Sequence, residues 1–216
     1  MKKTLIFDLD GTLLNTLGDL HQSVNYALKK CGFIEQNIEK TREYVGNGLK
    51  MLIKRSLPAV VPDKAVDIVL CEMKQHYVLH CCEKTKPYAG IPELLTKAKI
   101  NGYKMAVVSN KADSILREIV PYYFGNLISV VIGESPSMCR KPAPDMVFEA
   151  LHRLDSSAEE ALYIGDSEVD IETAKNAGLP CLSVSWGFRS RSLLIESGAS
   201  QICDTPCELF DHICKL

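Results

Sequence analysis

Five short apolar runs, each closing on a small or polar residue, constrain this chain more than any other feature. Leu5-Ile6-Phe7 runs into Asp8, Met105-Ala106-Val107-Val108 into Ser109, and Val130-Val131-Ile132 into Gly133. Leu162-Tyr163-Ile164 runs into Gly165-Asp166, and Cys181-Leu182-Ser183-Val184 is the fifth. Runs this short, with no polar alternation, suit strands covered on both faces, as in a parallel sheet. Helical spacing fills the intervals: Ile91, Leu94, Leu95 and Ala98; Ile115, Leu116 and Ile119; Val147, Leu151 and Leu154. The stretch through Ile171, Ala174 and Ala177 stops at Gly178 with Pro180 just beyond, a helix ending. Strand and helix in repetition predict an α/β fold, a doubly wound and mostly parallel sheet core.

One region breaks the alternation. From about Thr16 to Lys84 only helical periodicity is present, with Leu17, Leu20, Val24, Ala27, Leu28 and Cys31 on one face and Val66, Val69, Leu70, Met73 and Tyr77 on another. The predicted organisation is a core of residues 1–15 and 85–216 with a small inserted helical cap domain at 16–84. A chain of 216 residues suits one domain carrying such an insertion, or two small ones.

Composition excludes several function classes. A hydrophobic share of 46% rules out a disordered chain, and a formal net charge of −2 offers no electrostatic footprint for nucleic acid. No apolar run approaches the ~20 residues that span a bilayer. The first run is far shorter than the roughly 7–15 residues of a secretory signal core. The expectation is a cytoplasmic protein, monomer or homodimer, acting on a small molecule with neither nucleic acid nor membrane as partner. The nine cysteines are odd in number and include no Cys-x-x-Cys pair, so they are expected to be mostly small buried hydrophobes.

In an open parallel sheet, ligands bind in the crevice at the carboxyl ends of the strands. The polar residues there are Asp8 and Asp10, Ser109, and Asp166, with Lys141 in a loop. Close carboxylates repel and call for a cation, and three hard oxygen donors suit Mg²⁺, with water and substrate phosphate completing the shell. Lys141 supplies a compact positive charge, while Ser109 and Thr12 offer hydroxyl donors. Together such groups can hold a phosphoryl group and neutralise charge on its oxygens during transfer. Taken singly, each feature is commonplace: Asp10-Gly11 reads equally as a turn, Ser109 as part of a helix start, Lys141 as a solvated loop residue. It is the ordered combination that points to chemistry.

Asp8-Leu9-Asp10-Gly11-Thr12, Ser109-Asn110-Lys111, Lys141-Pro142 and Gly165-Asp166-Ser167-Glu168-Val169-Asp170 resemble the four signature motifs of the haloacid dehalogenase-like hydrolases. Their separations are similar to those of members with a small helical cap after the first strand, and the resemblance covers essentially the whole chain. Within the superfamily, Val45-Gly46-Asn47-Gly48-Leu49 and Ser109-Asn110-Lys111 look most like the phosphoglycolate phosphatase branch. Asn15 stands where many relatives carry Asp; it is expected to serve equally as the N-cap of the first cap helix.

The resemblance implies a Mg²⁺-dependent phosphatase for a small phosphorylated metabolite, with 2-phosphoglycolate the first candidate. Asp8 would be the nucleophile, forming an aspartyl-phosphate. Asp10 would be the general acid and base, aided by neighbouring negative charge that favours its protonated form. Asp8, the backbone carbonyl of Asp10, and Asp166 would bind the metal, with Asp170 orienting that shell and Glu168 less directly involved. Thr12, Ser109, Asn110 and Lys141 would bind the phosphoryl group, Lys141 also restraining Asp8. An acid at position 10 favours phosphoryl transfer over dehalogenation, since a departing halide needs no proton. Asp8→Asn is expected to leave the fold intact, its charge sitting at an exposed strand end.

Substrate selection would fall to the insertion, with Gly46, Asn47, Gly48 and Lys50 as candidates and Lys54 and Arg55 as further cations for a substrate carboxylate. The Trp186-Gly187-Phe188-Arg189 stretch is expected either to rim the site or to pack as structure. The competing readings are a sugar phosphomutase of β-phosphoglucomutase type, a pyrophosphatase and, from a different class, a phosphate-accepting receiver-like signalling module.

Overall fold

The computed structural model describes residues 2–216. The chain divides into two compact units, one of Met1–Leu14 with Pro87–Leu216 and one of Asn15–Lys86. The division falls a residue or two outside the 16–84 span suggested by periodicity, inside two-residue strands β2 (Leu14–Asn15) and β3 (Lys86–Pro87).

The first unit is a six-stranded sheet in the order β5-β4-β1-β6-β7-β8. Its strands are β1 (Thr4–Phe7), β4 (Lys104–Ala112), β5 (Val130–Glu134), β6 (Ala161–Gly165), β7 (Cys181–Val184) and β8 (Ile202–Cys203). Every pairing is parallel, with Leu5 opposite Met105 and Leu162 on the two flanks of β1. The reason for the unbroken apolar runs is visible in β1. Leu5 and Phe7 join a core beneath helices α5 (Ile91–Ile100), α6 (Asp113–Phe124) and α10 (Pro206–Ile213). Ile6 joins a second core on the opposite face, under α7 (Asp145–Arg153) and α8 (Glu168–Ala177). A strand whose alternate side chains both meet protein has no place for a polar residue until it ends. The short helix α9 (Arg191–Glu196) lies between β7 and β8 in the chain.

Strand order reverses at β1: the chain builds outward through β4 and β5, then returns to add β6, β7 and β8 on the other side. This is a topological switch point, and it places the ends of β1, β4 and β6 side by side. Two features were not expected. The edge strand β8 is too short to carry a periodic signal. Strand β4 continues to Ala112 with a register irregularity after Val108, so Ser109 lies within the strand rather than just past it.

The second unit contains α1 (Leu17–Lys30), α2 (Ile38–Tyr44), α3 (Leu49–Ser56) and α4 (Asp63–His80). Leu17, Leu20, Val24, Ala27 and Leu28 of α1 are buried, as are Val66, Val69, Leu70, Met73 and Tyr77 of α4 and Leu52 and Ile53 of α3. These are the apolar stripes read from the sequence. The N-cap of α1 is Thr16, not Asn15; the Asn15 side chain instead accepts the Leu17 N–H at 3.3 Å from one position further out. Asp19 is fully buried in the first turn of α1. It accepts the N–H of Lys84 and the N–H of Thr85, each at 2.8 Å, and the Thr85 hydroxyl at 2.7 Å. One carboxylate thereby fastens the last residues of this unit to its first helix.

The cysteine expectation is corrected. Only Cys203 is buried; Cys31, Cys81 and Cys181 are half-buried, and Cys71, Cys82, Cys139, Cys207 and Cys214 are exposed. Several sit at helix ends or outer faces, Cys81 and Cys214 as C-caps, where no core reaches them. Among the described residues, no helix is long and apolar enough to cross a membrane.

Candidate active site

Asp8 is the first residue past β1, and its N–H donates to the Ile164 carbonyl of β6 at 2.9 Å, which sets the direction of its side chain. It is 6% exposed, not at an exposed strand end as expected. Its Oδ1 accepts from the Lys141 ammonium at 2.7 Å. Lys141 is equally buried, and its other two donors go to Asp170 Oδ1 at 2.7 Å and the Tyr163 hydroxyl at 3.1 Å. An ammonium with three fixed partners has little freedom left to rotate away.

Asn110 holds Lys141 from behind: its Oδ1 accepts the Lys141 N–H at 2.8 Å and its Nδ2 donates to the Lys141 carbonyl at 3.0 Å. Asn110, a residue expected to bind phosphate, thus aligns the lysine's backbone with its side chain. Asp170, in the first turn of α8, is held just as fully. Its Oδ2 accepts the Ser167 N–H at 3.1 Å and hydroxyl at 2.6 Å, and Tyr163 donates to its Oδ1 at 3.2 Å. The same contacts close the capping box that starts α8.

Asp166 follows β6, and its Oδ2 accepts the Phe188 N–H at 2.7 Å while its Oδ1 accepts the Thr12 hydroxyl at 3.2 Å. Thr12 therefore orients a carboxylate here, where the sequence suggested a phosphate donor. Two glycines make the arrangement possible. A Cβ on Gly11, whose φ is +95°, or on Gly187 would lie 2.3 Å from Asp166 Oδ2. The 186–189 segment also contributes Trp186, whose indole N–H donates to the Thr12 carbonyl at 3.0 Å, and Arg189, paired with Glu168 at 2.7 Å. Glu168 is thus engaged by a guanidinium. Ser109 is buried, its hydroxyl accepting the Lys111 N–H at 3.4 Å.

Asp10 lies close enough to Asp8 for the two charges to repel. The Lys111 ammonium also stands 3.0 Å from its Oδ1, a contact that sequence reasoning missed. The one available signal was its place in the Ser109-Asn110-Lys111 motif.

The electrostatics follow from burial. The Asp8 carboxyl is raised to about 7, with burial the largest cause; Lys141 works against the rise, and Asp170 and Asp10 add to it. Asp166 is raised well above the usual carboxylate range by burial and then by Asp170 and Asp8. Burial works to lower the Lys141 ammonium, but Asp170 and Asp8 outweigh it and hold it protonated well above the usual lysine range. Asp8, Asp166 and Asp170 each offer an oxygen within 4.8 Å of the others. Ionising all three buried carboxylates in a cluster with a single lysine would leave an excess of negative charge. Hard oxygen donors in that number fit a divalent cation such as Mg²⁺.

Of the candidate selection residues, all in the second unit, Gly46, Asn47 and Gly48 lie between α2 and α3 and Lys50 lies in α3. Gly46 and Gly48 have φ of +119° and +80°, and Gly48 is the N-cap of α3. Lys50 pairs with Asp67 at 2.9 Å on the surface. Arg55 donates to the Tyr44 carbonyl at 3.3 Å.

The sequence pattern of the family described as haloacid dehalogenase-like hydrolase matches residues 5–184. A phosphoglycolate phosphatase of Aquifex aeolicus is 30% identical over 187 residues, covering 86% of each chain. A solved structure from Lactobacillus delbrueckii subsp. bulgaricus superposes with a TM-score of 0.95 at 35% identity, covering 99% of each chain. CbbY from Rhodobacter sphaeroides, solved in complex with phosphate, has a TM-score of 0.79 at 27% identity, covering 97% of this chain and 96% of its own.

Proposed function

We propose that this chain, which belongs to the haloacid dehalogenase-like hydrolases and is a phosphoric monoester hydrolase, acts on 2-phosphoglycolate through an aspartyl-phosphate on Asp8. The observation that carries the reading is the buried Lys141–Asp8 contact of 2.7 Å within the Asp8, Asp166 and Asp170 cluster. Asp8 attacks phosphorus, and the bridging P–O bond breaks with its electron pair on the leaving oxygen. Asp10 gives that oxygen a proton, then takes one from the water that hydrolyses the aspartyl-phosphate. Lys141 offsets charge on the transferring oxygens from a buried position, where screening is weak. Ser109 supplies a hydroxyl donor to the same group. Asn110 and Asp170 hold Lys141 in place, and Thr12 holds Asp166. Mg²⁺ held by Asp8, Asp166 and the Asp10 carbonyl supplies further charge neutralisation when bound.

The substrate assignment draws on the Aquifex relative named phosphoglycolate phosphatase, and the phosphate complex of CbbY supports phosphoryl binding on this fold. Choice among phosphomonoesters is assigned to the 16–84 insertion, through the Gly46-Asn47-Gly48 loop. The test is phosphate release from a set of phosphomonoesters, a hexose 1-phosphate and pyrophosphate, with and without Mg²⁺. Preference for 2-phosphoglycolate with Mg²⁺ is the expected result. Conversion of the hexose 1-phosphate to its 6-phosphate would replace the reading with a mutase, and preference for pyrophosphate would replace it with a pyrophosphatase.

A further inference from the structure

Lys111 approaches both carboxylate oxygens of Asp10, at 3.0 Å and 3.3 Å, across 101 residues of chain. Its side chain is 3% exposed and that of Asp10 17%. A lysine so buried needs acceptors for its N–H donors, and the Asp10 carboxyl oxygens supply them whether that group is ionised or protonated. The turn carrying Asp10 is closed by its own backbone, Gly11 N–H to the Leu14 carbonyl at 2.9 Å and Thr12 N–H to the Leu9 carbonyl at 3.2 Å. That turn fixes the Asp10 backbone but leaves the side chain its staggered choices. The ammonium selects among them.

We propose that Lys111 is a positioning residue for proton transfer to the leaving group, holding the Asp10 carboxyl where it can reach the bridging oxygen. The inference rests on the acid–base role assigned to Asp10 above. When the P–O bond breaks, the electron pair goes to the leaving oxygen and the Asp10 proton follows it. The resulting carboxylate stays against Lys111 until it takes a proton from water. A general acid must lie within about 2.6–3.2 Å of its target, so a side chain free to rotate loses efficiency without losing the fold.

Phenyl phosphate and p-nitrophenyl phosphate separate this role from a structural one. They share a ring and a phosphate, but nitrophenolate departs readily without a proton and phenolate does not. For wild type, Asp10→Asn and Lys111→Met, kcat/KM is measured on both, since it covers the steps through leaving-group departure. Any loss of folded enzyme lowers both values equally and cancels in their ratio. Asp10→Asn is expected to penalise phenyl phosphate roughly 10²-fold more than the nitro compound. Lys111→Met is expected to penalise it in the same sense, on the order of tenfold, because a loosened acid still delivers some protons. An unchanged ratio in Lys111→Met beside a selective Asp10→Asn overturns the inference alone. An unchanged ratio in Asp10→Asn overturns the acid–base reading beneath it.

Discussion

In the sheet unit, Asp8, Lys141, Asp166 and Asp170 are buried against one another at the ends of β1 and β6. In the helical unit the ion pairs Lys50–Asp67, Arg42–Glu39 and Lys29–Glu35 are surface pairs, and buried apolar stripes do the packing. Buried like charge is unfavourable for folding, and a core can bear it only when the rest of the sheet is apolar on both faces. The helical unit carries no such penalty, and its one fully buried carboxylate, Asp19, faces three donors and no other carboxylate. Charge in the first unit is gathered into one buried cluster, and in the second it ties the chain to itself.

The largest test of that contrast is Asp8→Asn. Turnover should fall by more than roughly 10⁴-fold, while the melting temperature at pH 8 should not drop, because a buried carboxylate has been made neutral. Phosphate release and thermal melting measure the two halves. Lys141→Met should abolish turnover and also destabilise the sheet unit by roughly 3–5 kcal/mol, since Asp8 and Asp170 lose their shared cation. Urea unfolding reads that loss. In the helical unit, Asp19→Asn turns an N–H toward a backbone donor and should cost about 1–3 kcal/mol, seen as faster amide exchange at Lys84 and Thr85.

The two units should also respond to pH with opposite sign. Asp8 is raised in the fold from 3.8 to about 7, so the folded sheet binds the extra proton and loses stability as pH climbs through that window. His21 and His76 are lowered by burial, so the folded helical unit binds fewer protons and gains stability as pH rises toward 6.5. Exchange protection of β1 and β6 amides against α1 and α4 amides, from pH 5 to 7, checks both slopes. Added Mg²⁺ should flatten only the first, by binding the folded sheet. The smallest effect belongs to Lys50→Met, whose exposed pair should be worth less than about 1 kcal/mol in urea unfolding.

The parallel sheet was legible because doubly covered strands must be apolar until they end, and their ends then announced Asp8 and Asp166. The helical insertion was legible from the stripes of α1 and α4. What escaped was tertiary. That Asn110 embraces a lysine backbone, that Thr12 faces a carboxylate, and that Lys111 meets Asp10 depend on strand ends and loops brought together by the switch at β1. No spacing along the chain encodes such contacts. Gly187 read as an unremarkable residue beside an aromatic, since its purpose is the volume it leaves to Asp166. The cysteines misled because their usual preference for the interior says nothing about a given helix end.

The clasp that Asp19 forms with residues 84 and 85 brings the two ends of the inserted stretch to one spot. A segment whose termini already meet is a ready graft. A foreign helical module, or a short bridging loop, can be spliced in its place with the parental strands still reached by the same short span. Such a stretch can be exchanged by recombination while the sheet that it interrupts is inherited unchanged.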